Sequence, residues 1–358
     1  CVRLRRLGAS LPGRRRIPRS APMGTRPAGG RSLESIRRSG IGTGVGAGPV
    51  SVIGVGRDLD PCVHDVGILT AHIDACGPNI DHLTGRTDAE FVLGSILNAD
   101  LVDDVVSRVD AVYHLAAAVG VELIVEKPLE SLLTNIRGTE TVFEKAHKYS
   151  KRILVTSTSE IYGKNTSDLL TEEEDRILGS PLKSRWSYSE AKAIDEILAY
   201  TYWREKGLDS VIVRLFNTVG PRQTGSYGMV VPRFVNQALR NEPLTIYGDG
   251  TQTRCFCAVT EVVDGIIALA EHPDAFGKVF NLGGTGEVSM RNLAERIIAI
   301  TGSSSPLEYV SYDVAYEEGF EDMQRRVPSI SRAQNLVGFA PMVSLDDIIR
   351  SVIDDQKR

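Results

Sequence analysis

Three short apolar runs, each ending in small or polar residues and set apart by helix-length segments, constrain this chain more than any other feature. They are Ala111-Val112-Tyr113-His114-Leu115-Ala116-Ala117, Arg152-Ile153-Leu154-Val155 running into Thr156-Ser157-Thr158-Ser159-Glu160-Ile161-Tyr162-Gly163, and Val211-Ile212-Val213-Arg214-Leu215-Phe216-Asn217. Strand, helix, strand, helix, strand at this spacing predicts parallel βαβ units, and so an α/β fold with a doubly wound, mostly parallel sheet. In such sheets ligands collect at the carboxyl ends of the strands. A hydroxyl cluster ends the second run, and small residues suited to close approach of a flat ring end the first.

Ser187–Lys206 reads as an amphipathic helix carrying Tyr188 and Lys192. Four positions apart, their side chains leave one face a turn apart. An ammonium near a phenol favours phenolate and lowers the tyrosine pKa from about 10. The pair therefore suits removal of a hydroxyl proton, although Y-x-x-x-K alone also arises on solvated helix faces.

Together these segments resemble the extended short-chain dehydrogenase/reductase family, in its nucleotide-sugar epimerase, decarboxylase and dehydratase branch. The resemblance runs from about Asn79 to the C-terminus and includes Asn135-Ile136-Arg137-Gly138-Thr139, Tyr247-Gly248-Asp249-Gly250-Thr251-Gln252-Thr253-Arg254 and Arg325-Arg326-Val327-Pro328. It implies a Rossmann-type domain binding NAD and a smaller C-terminal domain binding a sugar nucleotide, UDP-sugar being the commonest. Tyr188 would take the C4 hydroxyl proton, Lys192 would tune it and bond the nicotinamide ribose, and Thr158 would bond the reacting oxygen. Asn135 would support the lysine; Leu115, Ala116 and Ala117 would line the cofactor, with Ser95 and Ile96 near the adenine. Asn217, Arg254 and Arg326 would hold the sugar nucleotide, Arg254 on its pyrophosphate. His114 reads as a packed strand residue, and Asp249-Gly250 as a turn.

The triplet Thr158-Ser159-Glu160 narrows the reaction by the same resemblance. Dehydratases carry an aspartate where this chain has Ser159, which argues against elimination of water. Thr-Ser-Glu resembles UDP-glucuronate decarboxylases. The run Ala118–Leu129 looks more like 4-epimerases and lacks the Ser-Pro-rich segment of the decarboxylases. The expectation is a 4-epimerase working through a transient 4-keto sugar, with decarboxylase as the alternative. An inactive sugar-nucleotide binder is the alternative of another class.

That last alternative arises from the N-terminus. The family should open with a strand, G-x-x-G-x-x-G and a helix N-terminus that receives the cofactor pyrophosphate. Gly40-Ile41-Gly42-Thr43-Gly44-Val45-Gly46-Ala47-Gly48 has alternating glycines instead, and Pro49 follows. Residues 1–78 hold twelve arginines, no lysine and five acidic residues, for +7, against −5 for the whole chain and therefore −12 for the rest. Arginine without lysine is what GC-rich DNA gives out of frame. One base forward, the codons for Gly13–Met23 permit G-G-A-G-F-L-G-A-H-L-W, so residues 1–78 are expected to be a frameshifted cofactor-binding unit, with the first βαβ unit atypical or missing. An organellar leader in a fragment starting at Cys1 and a basic nucleic-acid tail are the weaker readings; the tail lacks aromatics for stacking.

At 358 residues and 42% hydrophobic the chain can bury a large core. The expected division is a Rossmann domain of residues 79–222 plus about 255–284, and a sugar-nucleotide domain of 223–254 and 285–358. No run approaches a membrane span, and no nucleic-acid partner is expected. Cys1, Cys62, Cys76, Cys255 and Cys257 show neither zinc nor disulfide spacing, so no metal is expected and a reducing cytoplasm is the default. The helices over 128–149 and 187–206 would pair two copies as a homodimer.

Overall fold

The computed structural model describes residues 51–57, 64–70, 89–118, 128–183, 186–223, 229–315 and 323–357. A seven-stranded sheet organises them. Its strands are β1 (Ser51–Arg57), β2 (His64–Thr70), β3 (Ala89–Leu93), β4 (Ala111–His114), β5 (Arg152–Thr158), β6 (Ser210–Leu215) and β11 (Lys278–Leu282), in the order β11-β6-β5-β4-β1-β2-β3. β4, β5, β6 and β11 are mutually parallel, as are β2 and β3. Thus six strands share one direction, as expected of a doubly wound sheet.

β1 is the exception, and of the two expectations for the first unit, atypical or missing, it shows the atypical one. It occupies the centre of the sheet, within the segment 1–78 set aside above, but runs antiparallel to both β2 and β4. The physical reason is the length of the connection. Only residues 58–63 separate β1 from β2, whereas a parallel crossover needs a dozen or more residues. Val52-Ile53 and Val55 give β1 a strand-forming composition. The glycine run Gly40–Gly48 lies outside the described residues.

Helices cover both faces. α1 (Ala99–Ser107), α2 (Pro128–Lys148) and α3 (Ser187–Lys206) enclose one core, in which Val102, Val106, Val142, Phe143 and Ala199 meet Ile153, Val155 and Ile212. On the other face α5 (Val259–Glu271) and α7 (Ser331–Val337) pack through Val262, Ile266, Leu269 and Ala333 on Leu154, Val211 and Val213. The alternation Ile153/Leu154/Val155 and Val211/Ile212/Val213 between the two cores is the two-residue strand period made visible.

A third core joins α4 (Val230–Leu239), α6 (Met290–Thr301) and α8 (Leu345–Gln356) around Phe234, Val235, Leu293, Ile297, Ile349 and Val352. Short strand pairs flank it: β8 (Leu244–Tyr247) with β13 (Leu307–Val310), and β9 (Thr253–Cys255) with β12 (Glu287–Ser289). β7 (Thr218–Val219) pairs with β10 (Cys257–Ala258) beside them. Cys255 and Cys257 fall on separate strands, both buried and free. Burial pushes each thiol up to about 12, which makes them structural groups rather than nucleophiles.

Gly138 lets α2 close on Ile96 in the turn before α1. A Cβ there would lie 2.1 Å from Ile96 Cδ1 and 2.6 Å from Cγ1, and Ile96 is wholly buried. Gly138→Ala should therefore destabilise the protein by about 1–3 kcal/mol through overpacking. Ile96→Val, which deletes the closest methyl, should recover part of that loss in a urea-unfolding double-mutant cycle.

Candidate active site

β5 ends at Thr158, whose extended backbone (φ −140°, ψ 151°) and hydroxyl cap the 3₁₀ turn Ser159–Tyr162, with Glu160 N–H donating to Thr158 Oγ1 at 3.2 Å. α3 is docked onto that turn by Ser189, whose hydroxyl donates to the Glu160 carbonyl at 2.8 Å. The far end of α3 stops at Gly207, left-handed at φ 67°, which donates back to the Trp203 and Tyr202 carbonyls. Between these ends Arg214 on β6 grips Glu196 with two bonds of 2.9 and 2.8 Å and also donates to the Tyr162 hydroxyl at 3.0 Å. This forked contact fixes the rotation of α3 on the sheet. Thr158, Tyr188 and Lys192 are thereby carried to the carboxyl edge of β5.

The charges around Tyr188 differ from the sequence-based expectation. The Lys192 ammonium, 1% exposed, bonds Asp195 Oδ2 at 3.1 Å, and Asp195 is wholly buried. That bond joins Lys192 to a residue three positions further along α3. Burial raises the half-buried Tyr188 well above the usual phenol range, and the carboxylates of Glu160 and Asp195 raise it further. Tyr188 is therefore a phenol in this state, where a lowered pKa was expected. Burial also raises Asp195, opposed by Lys192 and by the Thr139 hydroxyl. Behind them His114 Nε2 and Thr139 Oγ1 lie 2.9 Å apart.

Asn135 bonds the backbone of Ala118. Its Oδ1 accepts from Ala118 N–H at 2.7 Å and its Nδ2 donates to the Ala118 carbonyl at 3.2 Å, joined there by the Ser131 hydroxyl. The side chains of α2 take up the backbone groups of Ala118 that a longer β4 would have paired. This is why β4 ends at His114 rather than Ala117. Ala116 and Ala117 are buried at the mouth while Leu115 is 37% exposed.

Ser95 is half-buried before α1, its hydroxyl accepting from Leu97 N–H, and the Ile96 side chain belongs to the core. Asn217 donates to the Cys255 carbonyl at 2.8 Å, and Arg254 donates to the Thr253 carbonyl at 2.7 Å. Arg326, 7% exposed, donates to Ser159 Oγ at 3.0 Å and lies 3.6 Å from Glu160 Oε1. Arg326 thus joins the Thr158–Glu160 turn directly. The sequence reading missed Asp195 and the Ser159–Arg326 pairing. Asp195 carried a signal, a carboxylate three residues from Lys192 on the same helix face; Ser159 and Arg326, far apart in sequence, carried none.

The described residues fit the reactive half of a dinucleotide: small side chains at the end of β4, and Thr158, Tyr188 and Lys192 at the end of β5. They do not supply its pyrophosphate turn. Val55 opposes Ala111 and Val52 opposes His114, so β1 ends at the edge of the sheet away from Thr158. β1 therefore does not lead the chain to the active edge, where a strand-to-helix turn presents N–H groups to a phosphate.

His114 is wholly buried, and burial together with Lys192 pushes it down to about 3. It stays neutral in the folded protein while the unfolded chain protonates below about 6.5. Stability from this group is intact above about pH 6.5 and is lost as pH falls toward 3. Wild type should therefore lose about 2 kcal/mol more than His114→Gln between pH 7.5 and pH 5 in urea melts. Equal losses would show that His114 carries no such strain.

Comparison with known proteins agrees with this geometry. The model of the NAD dependent epimerase/dehydratase family matches residues 64–283. UDP-N-acetyl-alpha-D-glucosaminuronate decarboxylase of Bacillus cytotoxicus is 38% identical over 260 residues, covering 72% of this chain and 80% of the relative. UDP-glucuronic acid decarboxylase 1 of Arabidopsis thaliana is 32% identical over 343 residues, 89% and 75% of the two chains. The crystal structure of UDP-glucuronic acid 4-epimerase from Bacillus cereus, in complex with UDP-glucuronic acid and NAD, superposes with a TM-score of 0.71 at 29% identity. It covers 79% of this chain and 86% of that one. With the sheet order, the Thr158–Tyr188–Lys192 edge and these likenesses in hand, the chain belongs to the NAD dependent epimerase/dehydratase family of nucleotide-sugar enzymes.

Proposed function

We propose that this chain acts on a UDP-hexuronate, oxidising C4 transiently and releasing the C6 carboxyl group as carbon dioxide. The observation that carries the reading is the buried Arg326 guanidinium held against Ser159 and Glu160 at the end of β5. A guanidinium fork matches a carboxylate. Ser159, a neutral hydroxyl, adds no second negative charge beside Glu160, where an aspartate would. The decarboxylase relatives and the bound UDP-glucuronic acid of the epimerase structure both point to a uronate.

The small residues Ala116 and Ala117 and the Thr158–Tyr188–Lys192 edge would hold the nicotinamide of NAD⁺, which would supply a reversible acceptor for the C4 hydride. Tyr188, once ionised beside the Lys192 ammonium, would receive the O4 proton, and Thr158 would donate to the same oxygen. The resulting 4-keto acid has its carbonyl β to the carboxylate. The C5–C6 bond breaks, its electron pair moves toward C4, and charge gathers on O4. A protonated Tyr188, favoured by the burial that raises its pKa, and Thr158 are the donors that stabilise that oxygen. C5 then takes a proton from water.

A 4-epimerase is the second reading, favoured by the TM-score of 0.71 to the UDP-glucuronic acid 4-epimerase. It shares the 4-keto sugar and returns hydrogen to the opposite face. Part of the run that favoured this reading, residues 119–127, lies outside the described residues. A sugar-nucleotide binder without turnover is the third reading, favoured by the antiparallel β1.

Purified protein supplied with NAD⁺ and UDP-glucuronate distinguishes the three by mass spectrometry of the nucleotide products. Loss of carbon dioxide is the expected result; a stereoisomer of unchanged mass indicates epimerisation, and unaltered substrate indicates binding alone. Arg326→Gln should reduce turnover of the uronate about 100-fold with an unchanged circular dichroism spectrum, the loss of a charged hydrogen bond. Undiminished turnover would remove Arg326 from the reading.

We also propose a homodimer formed through α2 and α3. On α3, Ile194, Ile197 and Tyr200 are 37%, 62% and 43% exposed, and Leu129 on α2 is 67% exposed. Ile197→Glu should convert a dimer to a monomer in light scattering; a dimer that persists would exclude this face. A cytoplasmic location is part of the same proposal, and no helix among the described residues is long and apolar enough to cross a membrane.

A further inference from the structure

We propose that Asn281 is a positioning residue for Arg326: its carboxamide joins the segment that carries Arg326 to the turn that carries Ser159, and so sets where the guanidinium stands at the end of β5. The inference deepens the proposed function and rests on its reading of Arg326 as the group that meets the substrate's carboxylate.

Asn281 is wholly buried on β11, the outermost strand of the sheet. Its neighbours Phe280 and Leu282 belong to the core beneath α5 and α7, so the two-residue strand period turns Asn281 to the opposite face. There the side chain meets three separate pieces of chain. Nδ2 donates to the Leu170 carbonyl at 2.9 Å and to the Ser329 carbonyl at 3.2 Å, and Oδ1 accepts from the Tyr162 hydroxyl at 2.7 Å. The backbone of Asn281 is held as well, its N–H donating to Glu172 Oε1 at 2.9 Å.

The direction of each bond follows from the groups themselves. Arg214 can only donate, and it donates to the Tyr162 hydroxyl at 3.0 Å, so that hydroxyl gives its own proton to Asn281. The carboxamide must then turn its oxygen to Tyr162 and its two N–H groups to the two carbonyls. Asparagine supplies that set, whereas aspartate lacks the donors and leucine lacks both. Residues 323–329 are bonded on either side of Arg326. Ahead of it, Thr253 N–H donates to the Gln324 carbonyl at 2.9 Å, and Arg325 forks onto Glu287 at 2.9 and 3.0 Å. Behind it, Leu170 N–H donates to the Val327 carbonyl and Ser329 N–H to the Leu170 carbonyl, both at 2.9 Å. Asn281 grips this second anchor, and Tyr162 ends the turn that begins at Ser159. The 3.0 Å contact of Arg326 with Ser159 therefore spans two segments that share one side chain.

Asn281→Ala removes all three side-chain bonds and no charge. Modification of arginines by phenylglyoxal, mapped by mass spectrometry of peptides, reads the result without substrate or cofactor. Arg326 and Arg254 are 7% and 9% exposed, so Arg254 on β9 serves as the internal reference. The Arg326 rate should rise about tenfold, the weight of one or two hydrogen bonds, while the Arg254 rate stays within about twofold. A merely structural role would speed both arginines alike; that result, or an unmoved Arg326 in a folded variant, overturns the proposal. Should Asn281→Ala not fold, Tyr162→Phe removes one hydroxyl from a ring that stays packed with Leu170 and Phe216. It should raise the Arg326 rate alone, about threefold, and an unchanged rate overturns the proposal equally.

Calorimetry with UDP-glucuronate and with UDP-glucose, each in the presence of NAD⁺, separates this inference from the reading beneath it. Asn281→Ala should weaken UDP-glucuronate about tenfold and UDP-glucose less than about twofold, with no further loss when combined with Arg326→Gln. Losses that add in the double variant overturn the proposal, because Asn281 would then act by a route other than Arg326. A wild type that binds UDP-glucuronate no better than UDP-glucose, with Arg326 freed as expected in Asn281→Ala, would leave Asn281 as the positioning residue of Arg326 and reject the carboxylate reading.

Discussion

An ammonium buried to 1% exposure is the constraint on which the active edge depends. Taking Lys192 and Asp195 out of water costs several kcal/mol for each ion, and only close pairing with further hydrogen bonds offsets it. The pairing demands that α3 sit at one height and one rotation against β4 and α2, since Thr139 and His114 complete the network from those elements. Ser189 on the Glu160 carbonyl and the Glu196–Arg214 fork fix the same helix from two other sides. Tyr188 is carried to the end of β5 by contacts that mostly lie away from the reacting face. The buried pair is better understood as setting geometry than as adding stability, because a well-packed apolar pair of similar volume is often no less stable.

The centre of the sheet follows a different logic. Backbone pairing needs a strand between β4 and β2, and Ser51–Arg57 fills that position with hydrogen bonds to both neighbours. A sheet tolerates either direction there, since antiparallel and parallel ladders both satisfy N–H and C=O groups. A dinucleotide does not, because its pyrophosphate requires the strand to end at the active edge and to continue into a helix. The sheet order of the family is thus kept while the polarity that serves the cofactor is reversed at one strand. The family match beginning at residue 64 coincides with β2, the first strand with the expected direction.

Much of the architecture was legible because it is written in local signals. Ser187–Lys206 has the expected bounds and ends at a left-handed glycine, and Met290–Thr301 and Leu345–Gln356 both start from serine N-caps. β4 was over-extended because Leu115–Ala117 look like strand, and only the side chains of α2 reveal that Ala118 is bonded elsewhere. β1 was missed because composition drew attention from Val52-Ile53 and Val55, and its direction depends on a six-residue connection rather than on any residue type. The charge state of Tyr188 was misread for a related reason. Helical spacing places Lys192 within reach of both Tyr188 and Asp195, and only burial and the partners on α2 and β4 decide between them.

The same reasoning bears on how one edge can serve several reactions. A 4-keto uronate loses carbon dioxide or turns over according to how its carboxylate is held, while the groups at O4 stay the same. Thr158 and Tyr188 act on O4 in either case, so they cannot separate the outcomes. On the proposed reading Arg326, Ser159 and Glu160 are the groups that would separate them, by holding the C5–C6 bond across the plane of the neighbouring carbonyl, where its electron pair overlaps that group as the bond breaks. Arg326 is anchored in the turn by both Ser159 and Glu160. On the proposed reading, a guanidinium tethered at two points would hold a carboxylate in one orientation, which would favour the bond-breaking geometry over the rotation that epimerisation requires.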